Sequence, residues 1–180
     1  MKYESVADIY SAHTKIRERF LDTVSKVTAA EAAAPPDGGK WSIDKLVEHV
    51  AIVEKAMLNI CTKLVAEARA AGTPSDGSFE ISSDFASKTS AIADISVEAP
   101  ERVHPSGNVS IADSLATLTE TTASINALKR DLSFFDGSDF TFPHPFFGNL
   151  TAAEWLVVRG GHEHRHTNQI EAILNAARSA

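Results

Sequence analysis

Apolar side chains recur at steps of three and four in four stretches of the chain, and nowhere do they alternate at the period of two that a half-buried strand requires. The pattern predicts an all-α protein. Ile9, His13, Ile16, Phe20, Val24 and Val27 mark a first helix from Glu4 to Thr28. A second begins after Trp41, with Ser42 as its cap and Asp44 favouring the positive helix start, and runs to Ala71 before Gly72 and Pro74 stop it. Ser110 and Asp113 announce a third, continued by Ile111, Leu115, Leu118, Ile125, Leu128 and Leu132. The fourth opens on a capping box, Thr151 with Glu154, and extends to Ala177.

The connections are uneven. Pro35, Pro36, Gly38 and Gly39 form a turn between the first two helices. Between the second and third lie 37 residues, Thr73 to Val109, too many for a structureless loop inside a compact domain. Part of this connection is expected to be ordered: a short helix over Ser83 to Ile95 carrying Phe85, Ile92 and Ile95, then an extended stretch from Val97 to Gly107. The connector from Ser133 to Gly148 holds Phe134, Phe135, Phe140, Phe142, Phe146 and Phe147, an apolar load that implies docking on the bundle or on a second subunit.

Length and charge narrow the classes. A chain of 180 residues with 43% hydrophobic content fits one domain, residues 1–180, whose core needs no disulfide or metal to hold it. The 24 acidic and 17 basic side chains leave a net charge of −7 without a basic cluster, which argues against nucleic acid or an anionic membrane as partner. Met1 to Tyr10 lacks a basic stretch followed by an apolar one, and nowhere do 18 apolar residues run together, so a cytoplasmic location is expected. The single cysteine, Cys61, falls at helical spacing among Met57, Ile60 and Leu64 and reads as a buried hydrophobe.

Candidate chemistry concentrates in the fourth helix, where three of the seven histidines fall within five residues, His162 to His166. Residues four apart on a helix are offset by about 40° around the axis and about 6 Å along it, so His162 and His166 project side by side while His164 points away. The inward stripe Trp155, Val158, His162, His166, Gln169 and Ile173 places the pair on a face expected to be buried. Two buried imidazoles resist protonation, and a shared metal ion resolves their clustering. His49, on the line Leu46, His49, Val53, Ala56 and Ile60 of the second helix, can supply a third ligand.

The same five residues satisfy H-E-x-x-H, the zinc-protease pattern. Only 14 residues follow His166, none of them histidine and with Glu171 the one carboxylate, and no sheet edge is predicted to hold a peptide. Glu163 is therefore expected on the solvated helix surface, with nearby arginines as its candidate partners. His13 reads as a structural histidine or a rim group, and His104 and His144, each before a proline, as loop anchors. Gly160 and Gly161 each cost roughly 1 kcal/mol inside a helix, which implies close approach of a neighbour or a ligand.

Trp41-Ser42-Ile43 leading to His49, the loop from His144 to Leu150 followed by Thr151 to Trp155, and His162-x-x-x-His166-x-x-Gln169-Ile170 together resemble the DinB/YfiT-like superfamily, over essentially the whole chain. The resemblance implies an up-up-down-down four-helix bundle, a homodimer, and a divalent metal on His49, His162 and His166. Among relatives of this kind are thiol-dependent transferases and isomerases and metal-dependent hydrolases. Two functions follow as expectations. One is a metal-dependent enzyme, a thiol-dependent S-transferase or hydrolase, taking a small-molecule substrate and a low-molecular-weight thiol, with zinc or nickel as cofactor. The other is a non-catalytic dimeric bundle that binds a ligand or partner around a structural or vestigial metal.

Overall fold

The computed structural model describes residues 3–34, 41–92 and 99–179. Helices α1 (Val6–Ser25), α3 (Ile43–Ala71), α5 (Ile111–Phe134) and α6 (Ala152–Ser179) form the bundle. Short helices α2 (Ala29–Ala33) and α4 (Ser83–Ile92) and a 3-10 turn at Glu101–Val103 lie in the connections. The expected Pro-Gly turn at Pro35 to Gly39 falls outside the described residues, as do Ile95 and Val97. Among the described residues no helix is long and apolar enough to cross a membrane.

The capping signals act largely as the sequence predicts. Thr151 Oγ1 accepts from Glu154 N at 3.3 Å while Glu154 Oε2 accepts from Thr151 N at 3.0 Å. The other carboxylate oxygen of Glu154 takes Ser82 N at 3.1 Å and pins the start of α4. Ser110 caps α5 through Asp113 N. Ser42 occupies the cap position of α3, but its hydroxyl bonds the Asp44 carboxylate instead of a backbone N–H.

Three elements differ from expectation. The first helix stops at Ser25, because a second capping box, Thr28 with Glu31, starts the separate helix α2. The Phe-rich connector contains a small antiparallel hairpin, β1 (Phe142–His144) with β2 (Gly148–Leu150), where no strand is predicted. Pro143 and Pro145 break the alternation that signals a strand, and Gly148 supplies the left-handed φ of 81° that the turn requires.

The third difference is helix direction. An apolar cluster at one end joins Val6 and Ile9 of α1, Met57 and Cys61 of α3, Ile125 of α5, and Leu156 of α6. A second cluster at the other end joins Phe20, Val24, Ile43, Val47, Leu118, Ile170 and Leu174. Helices α1 and α6 therefore run one way and α3 and α5 the other. The four-helix bundle stands, with the order up-down-down-up in place of the expected up-up-down-down. α3 and α5 both begin at the end of the bundle where α1 stops, so they run parallel to each other and antiparallel to α1 and α6.

Between the two apolar clusters lies a buried charged layer. Arg17 Nη2 donates to both oxygens of Glu54, at 2.9 and 2.7 Å, and its Nε donates to Glu163 Oε1 at 2.6 Å. Arg159 donates to Glu54 Oε2 from Nε and Nη2, at 2.9 and 2.7 Å. Two guanidiniums and two carboxylates balance, which is the condition for tolerating charge in a core.

Candidate metal centre

Each ring of the histidine cluster is placed by a different local cause. His162 and His166 stand one turn apart on α6, and His49 reaches them from α3, which packs beside α6. His162 Nε2 lies 3.2 Å from His49 Nε2 and 3.1 Å from His166 Nε2. Nitrogens bound at about 2.0 to 2.1 Å to one tetrahedral ion stand roughly 3.3 Å apart, so the spacing is that of ligands around a common centre.

The far sides of two rings settle which nitrogens carry protons. His49 Nδ1 donates to the carbonyl of Val103 at 2.8 Å, and His166 Nδ1 donates to Gln169 Oε1 at 2.7 Å. Both Nε2 atoms are then bare lone pairs aimed at His162 Nε2. One proton on that nitrogen can serve only one of them, whereas a cation serves all three. The donor set therefore fits a divalent ion. His162 Nδ1 is buried with no partner among the described residues, so this ring is the least firmly oriented of the three.

Burial also keeps the rings neutral. It pulls His49 below the usual imidazole range, and His166 down to about 3. For His162 burial acts first and the neighbouring His166 and His49 add to it, holding the ring well below its ordinary value.

The connection between α3 and α5 supports the site. Glu48, one residue before His49, accepts from Ser106 N at 2.9 Å and Gly107 N at 2.8 Å, and so holds the segment that presents the Val103 carbonyl. The ring of Trp41 lies 4.7 Å from that of His49 and covers it. Val103 has no side-chain signal in the sequence, because its contribution is a backbone carbonyl. Gln169 was legible as part of the histidine stripe, though its role as an acceptor for His166 was not.

Several expectations change. Glu163 is 1% exposed, bonded to Arg17, and about 100° around α6 from His162; it is neither solvated nor positioned as a protease base. Burial and the neighbouring Glu54 raise its pKa, against the pull of Arg17. The most buried line of α6 runs through Leu156, Arg159, Glu163 and Ile170, one step around from the predicted stripe, and Gln169 is exposed. On α3, Ala56 is exposed as well.

His13 is structural: its Nε2 donates to the Leu156 carbonyl at 2.8 Å and its Nδ1 accepts from Arg159 at 2.8 Å. His104 anchors its loop through Ala99 O, and His164 points away from the cluster toward Arg19. Cys61 is fully buried, and burial pushes its thiol up to about 12. A cleft of about 300 Å³ lined by Tyr3, Asp8, Lys15, Arg19 and His164 opens on that other side, away from the three histidines.

A profile of the DinB superfamily matches residues 12–170, a span that includes all three clustered histidines. The chain belongs to the DinB superfamily. The DinB fold of this chain resembles a solved structure titled "Crystal structure of TT2238, a four-helix bundle protein", with a TM-score of 0.60 at 20% identity, covering 93% of this chain and 98% of that one. A comparison with curated proteins finds no significant match.

Proposed function

We propose that this DinB-superfamily chain is a metal-dependent enzyme that holds a divalent cation, zinc or nickel, on the Nε2 atoms of His49, His162 and His166. The observation that carries the proposal is the convergence of three imidazole nitrogens, with His162 Nε2 3.2 and 3.1 Å from those of His49 and His166 and all three within 4.8 Å of one another, two of the rings having their other nitrogen already committed. When bound, the ion would supply a Lewis acid that lowers the pKa of a thiol or water at its open side.

The chain's own residues do the rest. Val103 and Gln169 fix two rings, Trp41 shields His49 from water, and the neutral rings offer lone pairs without displacing protons. The Cys61 thiol does not compete as an internal nucleophile, since it is buried and pushed up to about 12. An external low-molecular-weight thiol, or water, is therefore the expected nucleophile, making the reaction an S-transfer or a hydrolysis. A homodimer is the expected assembly.

A second function, a non-catalytic binding bundle, draws support from the two apolar clusters and the charged layer, which can hold the fold without an ion. Metal analysis of the purified chain and of a His49→Ala, His162→Ala double variant tests the site. The expected result is about one ion per chain, lost in the variant while the helical circular dichroism persists. Unchanged occupancy overturns the assignment. Thiol-dependent turnover of electrophiles, or hydrolysis of esters, by the loaded chain separates the enzyme from the binding bundle.

A further inference from the structure

Arg159 lies on α6 three residues before His162 and is 2% exposed. Its nitrogens reach all three of the other long helices. Nε and Nη2 donate to Glu54 Oε2 on α3 at 2.9 and 2.7 Å, Nη1 donates to His13 Nδ1 on α1 at 2.8 Å, and Nη2 donates to Thr122 Oγ1 on α5 at 3.4 Å. On the other side of His162, Glu163 accepts from Arg17 of α1 at 2.6 and 3.1 Å. His162, whose Nδ1 has no partner to orient the ring, therefore stands between two anchored neighbours on its own helix.

The same anchors set the level at which α3 meets α6. The two helices pack antiparallel, so each step back along α3 matches a step forward along α6. Five steps back from Glu54 is His49, and five steps forward from Arg159 is the level of His164, midway between His162 and His166. The ion pair and the histidine cluster thus obey one register, about 7.5 Å apart along the axis. Sliding one helix by a single residue's rise, about 1.5 Å, exceeds what metal bonds of about 2 Å tolerate. Stability alone does not account for such a pair: apolar side chains of similar volume commonly replace a buried ion pair without loss, and its best-attested use is to fix register.

The geometry points to Arg159, with Glu54 as its counterpart, as the positioning residue of the metal centre. The pair holds α3 and α6 in the register that brings His49 onto His162 and His166. This rests on the metal-site function proposed above. Neither residue is among the three clustered donors, and both act through the helices that carry them.

The test follows Co²⁺ binding to the full chain by its visible absorption, whose intensity separates tetrahedral from octahedral coordination. Glu54→Leu with Arg159→Met removes the pair together and leaves Arg17 matched with Glu163, so no buried charge is stranded. This double variant is expected to keep its helical circular dichroism while binding Co²⁺ about 10- to 100-fold more weakly, with weaker bands. Arg159→Lys keeps the charge but cannot fork to three helices, and should show part of the loss. Val24→Ala opens a cavity in the apolar cluster on α1, a helix without ligands; it should lower the thermal midpoint and leave cobalt affinity within about twofold of wild type. Wild-type affinity and bands in the folded double variant overturn the inference. Where that variant fails to fold, Arg159→Lys decides, and unchanged affinity there overturns it equally. A loss in Val24→Ala as large as in the pair variants also overturns it, because the effect is then one of stability. Failure of the wild-type chain to take up cobalt overturns the metal-site function itself, a result distinct from the others.

Discussion

Gly160 and Gly161 are neighbours on α6 with opposite surroundings. A Cβ at Gly160 would lie 2.9 Å from His13 Cδ2 and 3.3 Å from Ile16 Cδ1, whereas at Gly161 it would meet nothing within 4 Å. Gly161→Ala should therefore stabilise by about 0.5 to 1 kcal/mol through helix propensity, and Gly160→Ala should destabilise by about 1 to 2 kcal/mol through overpacking against His13. Urea denaturation of the two variants reads both signs. His13 also makes stability depend on pH. Burial, then the charge of Arg159, depresses it from 6.5 to about 4, so between those values the unfolded chain binds the extra proton. Stability should fall as pH drops from about 6.5 toward 4, by up to about 3 kcal/mol from this residue. Denaturation of the metal-free chain at several pH values should show a shallower slope in His13→Gln. The i, i+4 pair His162 and His166 was legible from spacing alone. Glu163, one residue on, was not: its surroundings depend on Arg17 and Glu54, which come from two other helices.

At the scale of the element, capping chemistry was readable wherever side chain and backbone sit three residues apart. Thr151 with Glu154 and Ser110 with Asp113 both start helices as their sequences imply. The break between α1 and α2 was missed because Val27 continues the apolar stripe, although Thr28 and Glu31 spell the same signal. The β1–β2 hairpin escaped because strands of three residues, interrupted by proline, carry too little pattern. The charged layer is a property of helix pairs and not of any one helix. Its centre is Glu54, which bonds Arg17 and Arg159 and is fully buried. Glu54→Ala should cost about 3 to 5 kcal/mol by leaving two buried guanidiniums short of a partner. Chemical denaturation checks the magnitude, and a loss below about 1 kcal/mol would mean that water replaces the carboxylate.

For the molecule as a whole, folding and metal binding should be separable. Apolar clusters at both ends and the charged layer between them hold the bundle, so chelation with EDTA should lower the thermal midpoint while leaving the far-ultraviolet dichroism of the folded state intact. Collapse of that signal on chelation would show that the ion is structural. The sequence by itself determined the helical class, the four long helices and the three histidines, because each rests on periodicity within one segment. The tertiary structure alone decided the helix directions, the pairing of Glu163 with Arg17, and the Val103 carbonyl behind His49. Those depend on which segments meet, and a local pattern of apolar and polar residues carries no record of its neighbours across the bundle.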